Sequence, residues 1–433
     1  MATLESSTFK VGGRRASYVL VICSLLHAVA YADWQVMSVV LQPMKIDLGL
    51  SDAQVGIVNT AYFLGIVLFT LPISHLVDVW SRAKMIGLMA IVWSGFTLAT
   101  GMVGGVATLL VARMGVGIGE AGFGPGGTAL VSASYPEHQR GRKLGVFNVF
   151  VTVGVILGVI AGGYLSVHYG GWRTPFYVFG VPGIVLGVLA FFMQDYELKK
   201  PDGSAVVHDG LLANLRQLLR ISTLRWLYVG LGMYAVLQIS VGTWFPSLLM
   251  RAYEIKEDKA GLVMGVVTII GLAGPIAGGA IADRWQDRYP GGRMRLAAIS
   301  IAIASVFVWL VLLAAAFDLT NKPSMYFCAA MMPLHSIFVG MALPAVAATT
   351  QDVVPARLKG LAWGAALVAL FLLGGAWGPL LVGAISDHAA GGYKGLALGL
   401  AITGAFGLAA SWMWFVTARH VDRDVAIARA DLE

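Results

Sequence analysis

The chain has 433 residues, of which 58% are hydrophobic and 12% are charged. Soluble domains carry about 25% charged residues, so this composition excludes a string of soluble domains and predicts an integral membrane protein. The net charge of +7 does not indicate a nucleic-acid surface, because the basic residues are spread over short segments between apolar runs. Cys23 and Cys328 lie inside apolar runs, which predicts small buried side chains rather than a disulfide framework.

Twelve apolar segments are long enough to cross a membrane, since a hydrocarbon core about 30 Å thick takes about 20 helical residues. Six precede the longest polar segment: 17–41, 53–77, 84–104, 106–133, 144–168 and 175–194. Six follow it: 223–249, 260–282, 295–317, 323–349, 359–385 and 394–418. The predicted fold is therefore an all-α membrane protein with 12 transmembrane helices in two six-helix bundles.

The domain order follows from these spans. The predicted parts are a cytoplasmic N-terminus 1–16, a first bundle 17–194, a cytoplasmic linker 195–222, a second bundle 223–418 and a cytoplasmic C-terminus 419–433. Leucines between Leu211 and Leu219 recur at helical spacing, which predicts an amphipathic helix on the membrane surface within the linker.

The distribution of basic residues predicts the orientation. Of the 30 Lys and Arg residues, 22 fall in the termini, the linker and the loops on the same side, and 7 fall in the opposite loops. Basic residues are enriched on the cytoplasmic side, so both termini are predicted to be cytoplasmic, in a bacterial inner membrane or, as the other option, a eukaryotic one. The run from Arg14 to Ala30 imitates a cleaved signal peptide, but it continues to Leu41, which favours a retained span.

The two halves of the sequence repeat each other. The spacing from Gly56 to Asp78 equals that from Gly261 to Asp283. A second correspondence links the loop that ends in Arg140 to the loop that ends in Lys359, each four residues after a proline. Parallel six-helix repeats joined by a cytoplasmic linker are typical of two-lobed transporters.

One loop signature resembles a known family. The run Gly279-Ala-Ile-Ala-Asp283-Arg284 is similar to the loop signature of the major facilitator superfamily, and the segment that ends in Asp78, with Arg82 after it, resembles a degenerate first copy. The resemblance implies the major facilitator fold and gating loops that contain Asp78, Arg82, Arg140, Asp283 and Arg284. An Asp at the end of a helix pairs with a nearby Arg or with the next helix's N-terminus; a simple loop cap is the alternative.

Within that superfamily, the first 145 residues resemble the Spinster family, whose eukaryotic members export sphingosine phosphate and lysolipids. The resemblance rests on Tyr31-Ala-Asp33, Ser51-Asp-Ala-Gln-Val-Gly56 and the stretch Ala112–Ala121. Trp34 stands where Spinster proteins usually have arginine, and anion symporters of the same superfamily carry a stretch similar to Ala112–Ala121. The resemblance places the first and fourth helices around a central aqueous cavity.

Three charged side chains lie well inside predicted spans: Asp33 in the first, and Arg113 and Glu120 in the fourth. Each is costly there, with at least about 2.5 kcal/mol on insertion scales for Asp or Arg near the centre of a span, so their presence indicates function. Arg113 and Glu120 share a helix face about 10.5 Å apart along the axis, and Asp33 is predicted at a depth similar to that of Arg113. We predict that Asp33 and Glu120 couple transport to protons. Arg113 is their charge partner or a substrate anchor; the alternative is a permanent ion pair that fixes helix packing.

The second half offers no comparable charge inside a span. We predict an asymmetric cavity, with a charged first half and an aromatic second half, that suits an amphipathic substrate. The candidate substrate-binding residues besides Arg113 are Tyr31, Trp34, Tyr234, Gln238, Trp244 and Trp363. His335 is interpreted as a hydrogen-bonded structural histidine, with a proton relay as the alternative. The run from Gly154 to Gly163 is interpreted as a small face for helix packing.

The favoured function is a proton-coupled secondary transporter that exports an amphipathic or lipid-like organic anion by alternating access. The alternatives are a symporter that imports a small organic anion, a drug efflux pump of the same superfamily, and a transport-incompetent sensor or membrane-embedded lipid enzyme. We expect no metal, no cofactor, no nucleic acid and a monomer in contact with membrane lipids. No ATP site is recognisable in the sequence, so an ion gradient is the expected energy source.

Overall fold

The computed structural model describes residues 3–4, 11–195, 198–199, 211–316, 322–355, 358–389 and 392–430. These residues are helical except for the connections and one short antiparallel pairing of strands β1 (Thr3–Leu4) and β2 (Leu198–Lys199). The remaining parts of the predicted termini and linker lie outside the described residues.

In the described part of the chain, seven helices precede the linker. They are α1 (Gly13–Leu48), α2 (Asp52–Val79), α3 (Arg82–Thr100), α4 (Val106–Glu120), α5 (Phe123–Ser134), α6 (Glu137–His168) and α7 (Thr174–Ala190). The linker contains α8 (Leu211–Arg220). In α8, Leu218 is buried, whereas Leu219, Arg216 and Arg220 are exposed.

Nine helices follow the linker within the described ranges, with one π-helical turn among them. They are α9 (Ser222–Tyr253), α10 (Glu257–Gly271), α11 (Ala273–Arg288), α12 (Gly292–Ala316), α13 (Lys322–Asp352), α14 (Lys359–Leu370), the π-helical turn Phe371–Gly375, α15 (Gly378–His388), α16 (Gly392–Ala418) and α17 (Val421–Ala430).

Among the described residues, 11 helical stretches have the length and apolar composition of a membrane span. The predicted sixth span corresponds to α7, a shorter apolar helix of 17 residues. The structure therefore confirms the prediction of an all-α membrane protein and is consistent with twelve spans.

Among the residues that the structure describes, three of the predicted spans are interrupted rather than continuous. The fourth breaks after Glu120, the eighth at Leu272, and the eleventh at the π-helical turn Phe371–Gly375. Each break coincides with glycines and a nearby proline, and proline removes a backbone donor from the helix. Discontinuous membrane helices are a common setting for transporter sites.

The chain divides into two compact units. The first comprises Met1–Gly49, Ala61–His208 and Lys256–Gly265, and the second comprises Leu50–Thr60, Asp209–Ile255 and Val266–Glu433. The start of α2 thus belongs to the second unit, whereas the rest of α2 belongs to the first unit. For α10 the assignment is reversed: its start belongs to the first unit and its end to the second. Gly56 and Gly261, which correspond in the sequence repeat, lie in these two exchanged segments.

Glycines in α6 let this helix lie directly on α1 within the first unit. A Cβ atom on Gly154 would lie 2.3 Å from the Ala28 carbonyl oxygen, and one on Gly158 would lie 2.6 Å from that of Ala32. Such distances are shorter than side chains allow, so the predicted small packing face is confirmed. The contact holds the part of α1 that carries Asp33. Cys23 and Cys328 are free and buried, as predicted.

Candidate functional site

Asp33 and Arg113 meet inside the first unit. The Arg113 Nη1 atom lies 3.4 Å from Asp33 Oδ1, and the two side chains are 2% and 1% exposed. The pair joins α1 to α4. The sequence placed both charges at similar depth, and the structure puts them in contact.

Thr97 of α3 is a third member of this group, and the sequence did not single it out. Its hydroxyl oxygen lies 2.6 Å from Asp33 Oδ2 and 2.9 Å from the Trp93 carbonyl oxygen. A hydroxyl has one hydrogen to donate and two lone pairs that accept. Thr97 therefore donates to an ionised Asp33, or accepts from a protonated Asp33 while it donates to Trp93, so the geometry accommodates both charge states.

Glu120 is held by Tyr62 of α2. The Tyr62 hydroxyl donates to Glu120 Oε2 at 2.5 Å, while Glu120 Oε1 is buried and has no hydrogen-bond partner among the described residues. The Arg113 guanidinium carbon lies 5.2 Å from the centre of the Tyr62 ring, within the range of a cation–π contact. Tyr62 therefore connects Glu120 to the Asp33–Arg113 pair.

Glycines of α4 bring these groups together. A Cβ atom on Gly117 would lie 2.1 Å from the Tyr62 carbonyl oxygen, and one on Gly119 would lie 2.6 Å from the Trp93 backbone nitrogen. Only a helix without side chains at these positions can come this close to α2 and α3. Glu120 is the last residue of α4, so its carboxyl group lies directly at the break in the fourth span.

Aromatic rings continue the site along α1. Tyr31 packs edge-on against Trp34 at 6.0 Å between ring centres and against His27 at 5.3 Å. His27, which no sequence pattern indicates, is buried and stacks on Phe147 at 4.3 Å between ring centres. A histidine in an apolar run gives no signal of its own, because its neighbours come from other helices.

The predicted aromatic residues of the second half pack between helices of the second unit. The Trp244 indole donates to the Pro379 carbonyl at 2.9 Å. The Tyr234 hydroxyl reaches the Val339 carbonyl at 3.5 Å, and its ring lies 5.6 Å from that of Trp414. Gln238 and Trp363 are half-buried.

His335 is buried, and its ring nitrogen Nδ1 lies 2.9 Å from the Ala304 carbonyl oxygen, within hydrogen-bond distance. In α6, Gly162 also belongs to the packing face, since a Cβ atom there would lie 2.4 Å from Val36.

The predicted loop residues have different surroundings. Asp283 accepts from Arg293 at 2.8 Å and 3.0 Å, and Arg293 also donates to Asp352 at 2.5 Å. Arg284, the residue next to Asp283, is exposed. The partner of Asp283 is thus an arginine in the first turn of the following helix, ten residues along the chain.

In the first-half loops, Arg140 donates to the Tyr135 carbonyl at 3.1 Å, and Arg82 is buried at the start of α3. The side chain of Asp78 lies outside the described residues. Asp195 accepts from the Ser81 hydroxyl at 2.5 Å and from the Ala83 amide at 3.3 Å, so it caps α3. In the described part of the chain, no three His, Cys, Asp or Glu side chains are grouped to bind a metal ion.

Membrane-length helices that enclose a network of buried charges define a membrane transporter. The family model of the Major Facilitator Superfamily matches residues 23–379, and the chain belongs to this superfamily. It is a family of transporters and not of enzymes, which confirms the expectation from the sequence.

Relatives support this assignment. The chain is 27% identical over 383 residues to an MFS-type efflux pump of Mycolicibacterium smegmatis, a match that covers 87% of this chain and 86% of the relative. It is 24% identical over 403 residues to Protein spinster homolog 1 of Xenopus tropicalis, with 87% and 74% covered. The resemblance to Spinster proteins seen in the sequence is thereby confirmed.

A solved structure shares the fold. It is the crystal structure of a bacterial homologue of the human lysosomal transporter Spinster, in an inward-facing and unoccupied conformation. The TM-score is 0.82 at 22% identity, and the match covers 95% of this chain and 99% of that one.

Proposed function

We propose that this protein is a proton-coupled secondary transporter that exports an amphipathic or lipid-like organic anion by alternating access. The observation that carries the proposal is the buried network of Asp33, Arg113, Tyr62 and Glu120 in the first unit. In an apolar interior, a charged group of this kind is costly and marks ion or proton pathways in transporters.

Two features support proton binding within the network. Thr97 accommodates Asp33 in both charge states, because its hydroxyl either donates to the carboxylate or accepts from the carboxylic acid. Glu120 keeps one oxygen without a partner among the described residues, which leaves room for a proton or for a donor group of the substrate. Movement of Arg113 relative to the two carboxyl groups would then control when protons are held.

The substrate class rests on Arg113 and the aromatic residues of α1. An arginine pairs with carboxylate, phosphate or sulfonate groups through a planar fork of donors. Tyr31 and Trp34 offer apolar ring surface on the same helix as Asp33. The relatives include a spinster homologue and an efflux pump, which fits a substrate with an anionic head and an apolar body.

Two alternatives within the superfamily remain as proposals. The stretch Ala112–Ala121, which resembles one in anion symporters, would fit import of a small organic anion. The similarity to an efflux pump would fit drug export. The direction of flux relative to an imposed proton gradient distinguishes import from export.

The proposed setting is a bacterial inner membrane, with both termini in the cytoplasm and a monomer as the working unit. The bias of basic residues toward one set of loops supports the orientation, and the efflux-pump relative is bacterial.

Proteoliposomes with an internal pH dye test the coupling. A panel of lysophospholipid, sphingosine phosphate, glucarate and a cationic drug is added with and without an imposed pH gradient. D33N and E120Q should abolish substrate-driven proton movement, whereas D47N, which changes an exposed acid on the same helix, should not. Unchanged proton-driven flux in D33N and E120Q would overturn the coupling assignment.

A further inference from the structure

A second charged cluster lies at the start of α2, away from the candidate site. It consists of Asp52, Arg251, Ser386 and Asp387, all of which belong to the second unit. We propose that these four residues form a latch, the α2 latch, that closes the side of the protein opposite to the termini and opens in every transport cycle. The inference builds on the proposed function, because it assigns a gate to that transport cycle.

The ion pair of the α2 latch is short and largely buried, whereas Asp387 is exposed. Arg251 at the end of α9 binds both oxygens of Asp52, at 2.6 Å and 2.8 Å, and the side chains of the pair are 9% and 3% exposed. The Ser386 hydroxyl donates to Asp52 Oδ2 at 2.6 Å. The fork of the guanidinium thus grips the carboxylate in the bidentate geometry of strong charge-assisted bonds.

Asp387 completes the latch from α15. Its two oxygens accept from the backbone amides of Asp52 and Ala53 at 2.9 Å and 2.7 Å. The first amides of an α-helix have no partner within the helix, and the helix dipole favours a negative charge there. A carboxylate from α15 therefore caps α2 in addition to the adjacent Ser51, whose hydroxyl oxygen accepts from the Gln54 amide at 3.1 Å.

Close backbone contact accompanies the polar latch. A Cβ atom on Gly383 would lie 2.2 Å from the Asp52 carbonyl oxygen, and one on Gly56 would lie 2.5 Å from the Leu380 Cα atom. Further along, the Thr60 hydroxyl donates to the Ala376 carbonyl. The segment Leu50–Thr60 therefore packs along its whole length against the segment from Ala376 to Gly383. Because glycines form the close contacts, the two segments can separate without interlocked side chains having to rearrange.

The corresponding segment of the sequence repeat has no such latch among its described contacts. The repeat aligns Gly56 with Gly261, which puts Glu257 at the position of Asp52 and Ile46 at the position of Arg251. Within the first unit, Lys256–Gly265 is seated by glycine contacts: a Cβ atom on Gly261 would lie 2.2 Å from the Val159 carbonyl oxygen. The nearest contact of an acidic side chain there, between Asp258 and the His168 imidazole, is long at 3.8 Å and partly exposed.

This asymmetry argues that the α2 latch is an added device rather than a requirement of the fold. The repeat-related segment packs in the same way without the bidentate pair. A buried ion pair is sensitive to loss of either partner, because the remaining charge stays desolvated. When both partners separate into water, each is solvated, so the contact is firm when closed and able to open.

The test measures opening directly. T60C, in a background with Cys23→Ala and Cys328→Ala, is labelled with a membrane-impermeant maleimide from the side opposite to the termini. Thr60 lies on the seated face of α2, so labelling reports the departure of this segment. We expect R251Q and D52N to raise the labelling rate about tenfold or more, and the charge exchange D52R/R251D to bring it back toward the parent rate.

A matched control breaks an exposed ion pair that is predicted to lie on the same side of the membrane as the α2 latch. Arg173 and Asp47 lie 2.6 Å apart, with side chains 35% and 48% exposed. R173Q should leave the labelling of T60C unchanged. An equal rise in R173Q and R251Q, or no rise in folded R251Q and D52N, would overturn the latch.

A second pair of variants covers the case in which R251Q does not fold. S386A and D387N keep the ion pair and remove one contact each, and both should raise labelling, D387N more than S386A. Parent-like rates in both overturn the proposal. The labelling uses neither substrate nor a pH gradient, so failure of proton-coupled transport and failure of the latch are separate results.

Discussion

Tyr62 and Glu120 are joined by a hydrogen bond of 2.5 Å between the phenol hydroxyl and the carboxyl oxygen Oε2. The ring of the same tyrosine lies under the Arg113 guanidinium at 5.2 Å. One side chain thus contacts two of the three charges that the sequence singled out. The hydroxyl donates to Glu120 and the ring contacts the Arg113 guanidinium, so a substitution can remove the first contact and keep the second.

The variant Y62F should lower substrate-driven proton movement about tenfold or more, since a hydrogen bond to a charged group is worth about 1.5–3 kcal/mol. It should also change the pH dependence of transport, because the ring that faces Arg113 remains and only the donor to Glu120 is lost. Y62L removes both contacts and should be worse. Transport at varied pH in proteoliposomes is the measurement.

Y177F is the matched control for this change. The Tyr177 hydroxyl donates to the Gly101 carbonyl at 2.7 Å within the same unit. Its loss should affect stability only and leave the pH profile in place. Identical profiles for Y62F and the parent protein would remove Tyr62 from the coupling network.

Thr97 gives a second prediction. T97V keeps the shape of the side chain but removes the hydroxyl that bonds Asp33 at 2.6 Å, whereas T97S keeps the hydroxyl. We expect T97V to reduce proton-coupled flux about tenfold, in line with a lost bond to a charged group, and T97S to retain most of it. The comparison is made with radiolabelled substrate at a fixed pH gradient, and equal fluxes in T97V and T97S would exclude a role for the hydroxyl.

Much of this arrangement was predictable from the sequence, for physical reasons. Length and hydropathy predict spans because the membrane sets a minimum helix length. Asp33, Arg113 and Glu120 were found because a charge in an apolar run is costly. The glycines from Gly154 to Gly163 predicted close packing of α6, although not the helix that they contact.

Contacts between helices that are distant in the sequence could not be predicted from it. Tyr62 and Thr97 are ordinary residues in membrane helices, and their role depends on which helix face meets Glu120 or Asp33. Asp52 and Arg251 are 199 residues apart, so no local spacing relates them. Arg293 rather than the adjacent Arg284 binds Asp283 because the following helix begins beside that carboxylate.

Gly117 offers a prediction on stability. In G117A, the added Cβ atom would lie 2.1 Å from the Tyr62 carbonyl oxygen, so α2 and α4 must move apart. Such overpacking costs about 1–3 kcal/mol, and it should also loosen the contacts of Tyr62. G95A in α3 is the control, since a Cβ atom there meets nothing within 4 Å. The control should be neutral or slightly stabilising, because alanine favours helices, and thermal unfolding in detergent compares the two.

Asp424 in α17 leads to a prediction on pH. Its carboxyl oxygen Oδ2 accepts from the Thr223 amide at 2.9 Å and from the Thr223 hydroxyl at 2.8 Å. The residue before α9 is Ile221, which has no side-chain oxygen to cap the helix, so Asp424 caps it from the C-terminal helix. Burial raises the pKa of Asp424. The hydrogen bonds from Thr223 and the contact with Arg423 together lower this pKa by more than burial raises it, so the pKa of Asp424 lies below its usual value.

A carboxyl group with a lowered pKa in the folded state stabilises that state above its unfolded pKa of about 3.9. The stabilisation is lost as the pH falls through the folded pKa. We therefore expect α17 to stay docked at neutral pH and to detach in acid below about pH 4. An environment-sensitive fluorophore on a cysteine at Ala426 would report detachment.

D424N should weaken docking already at pH 7, by about 0.5–2 kcal/mol as for loss of a helix cap. D422N removes weaker contacts, of 3.3 Å and 3.4 Å, and should change docking less; an equal effect of the two variants would contradict the capping role of Asp424.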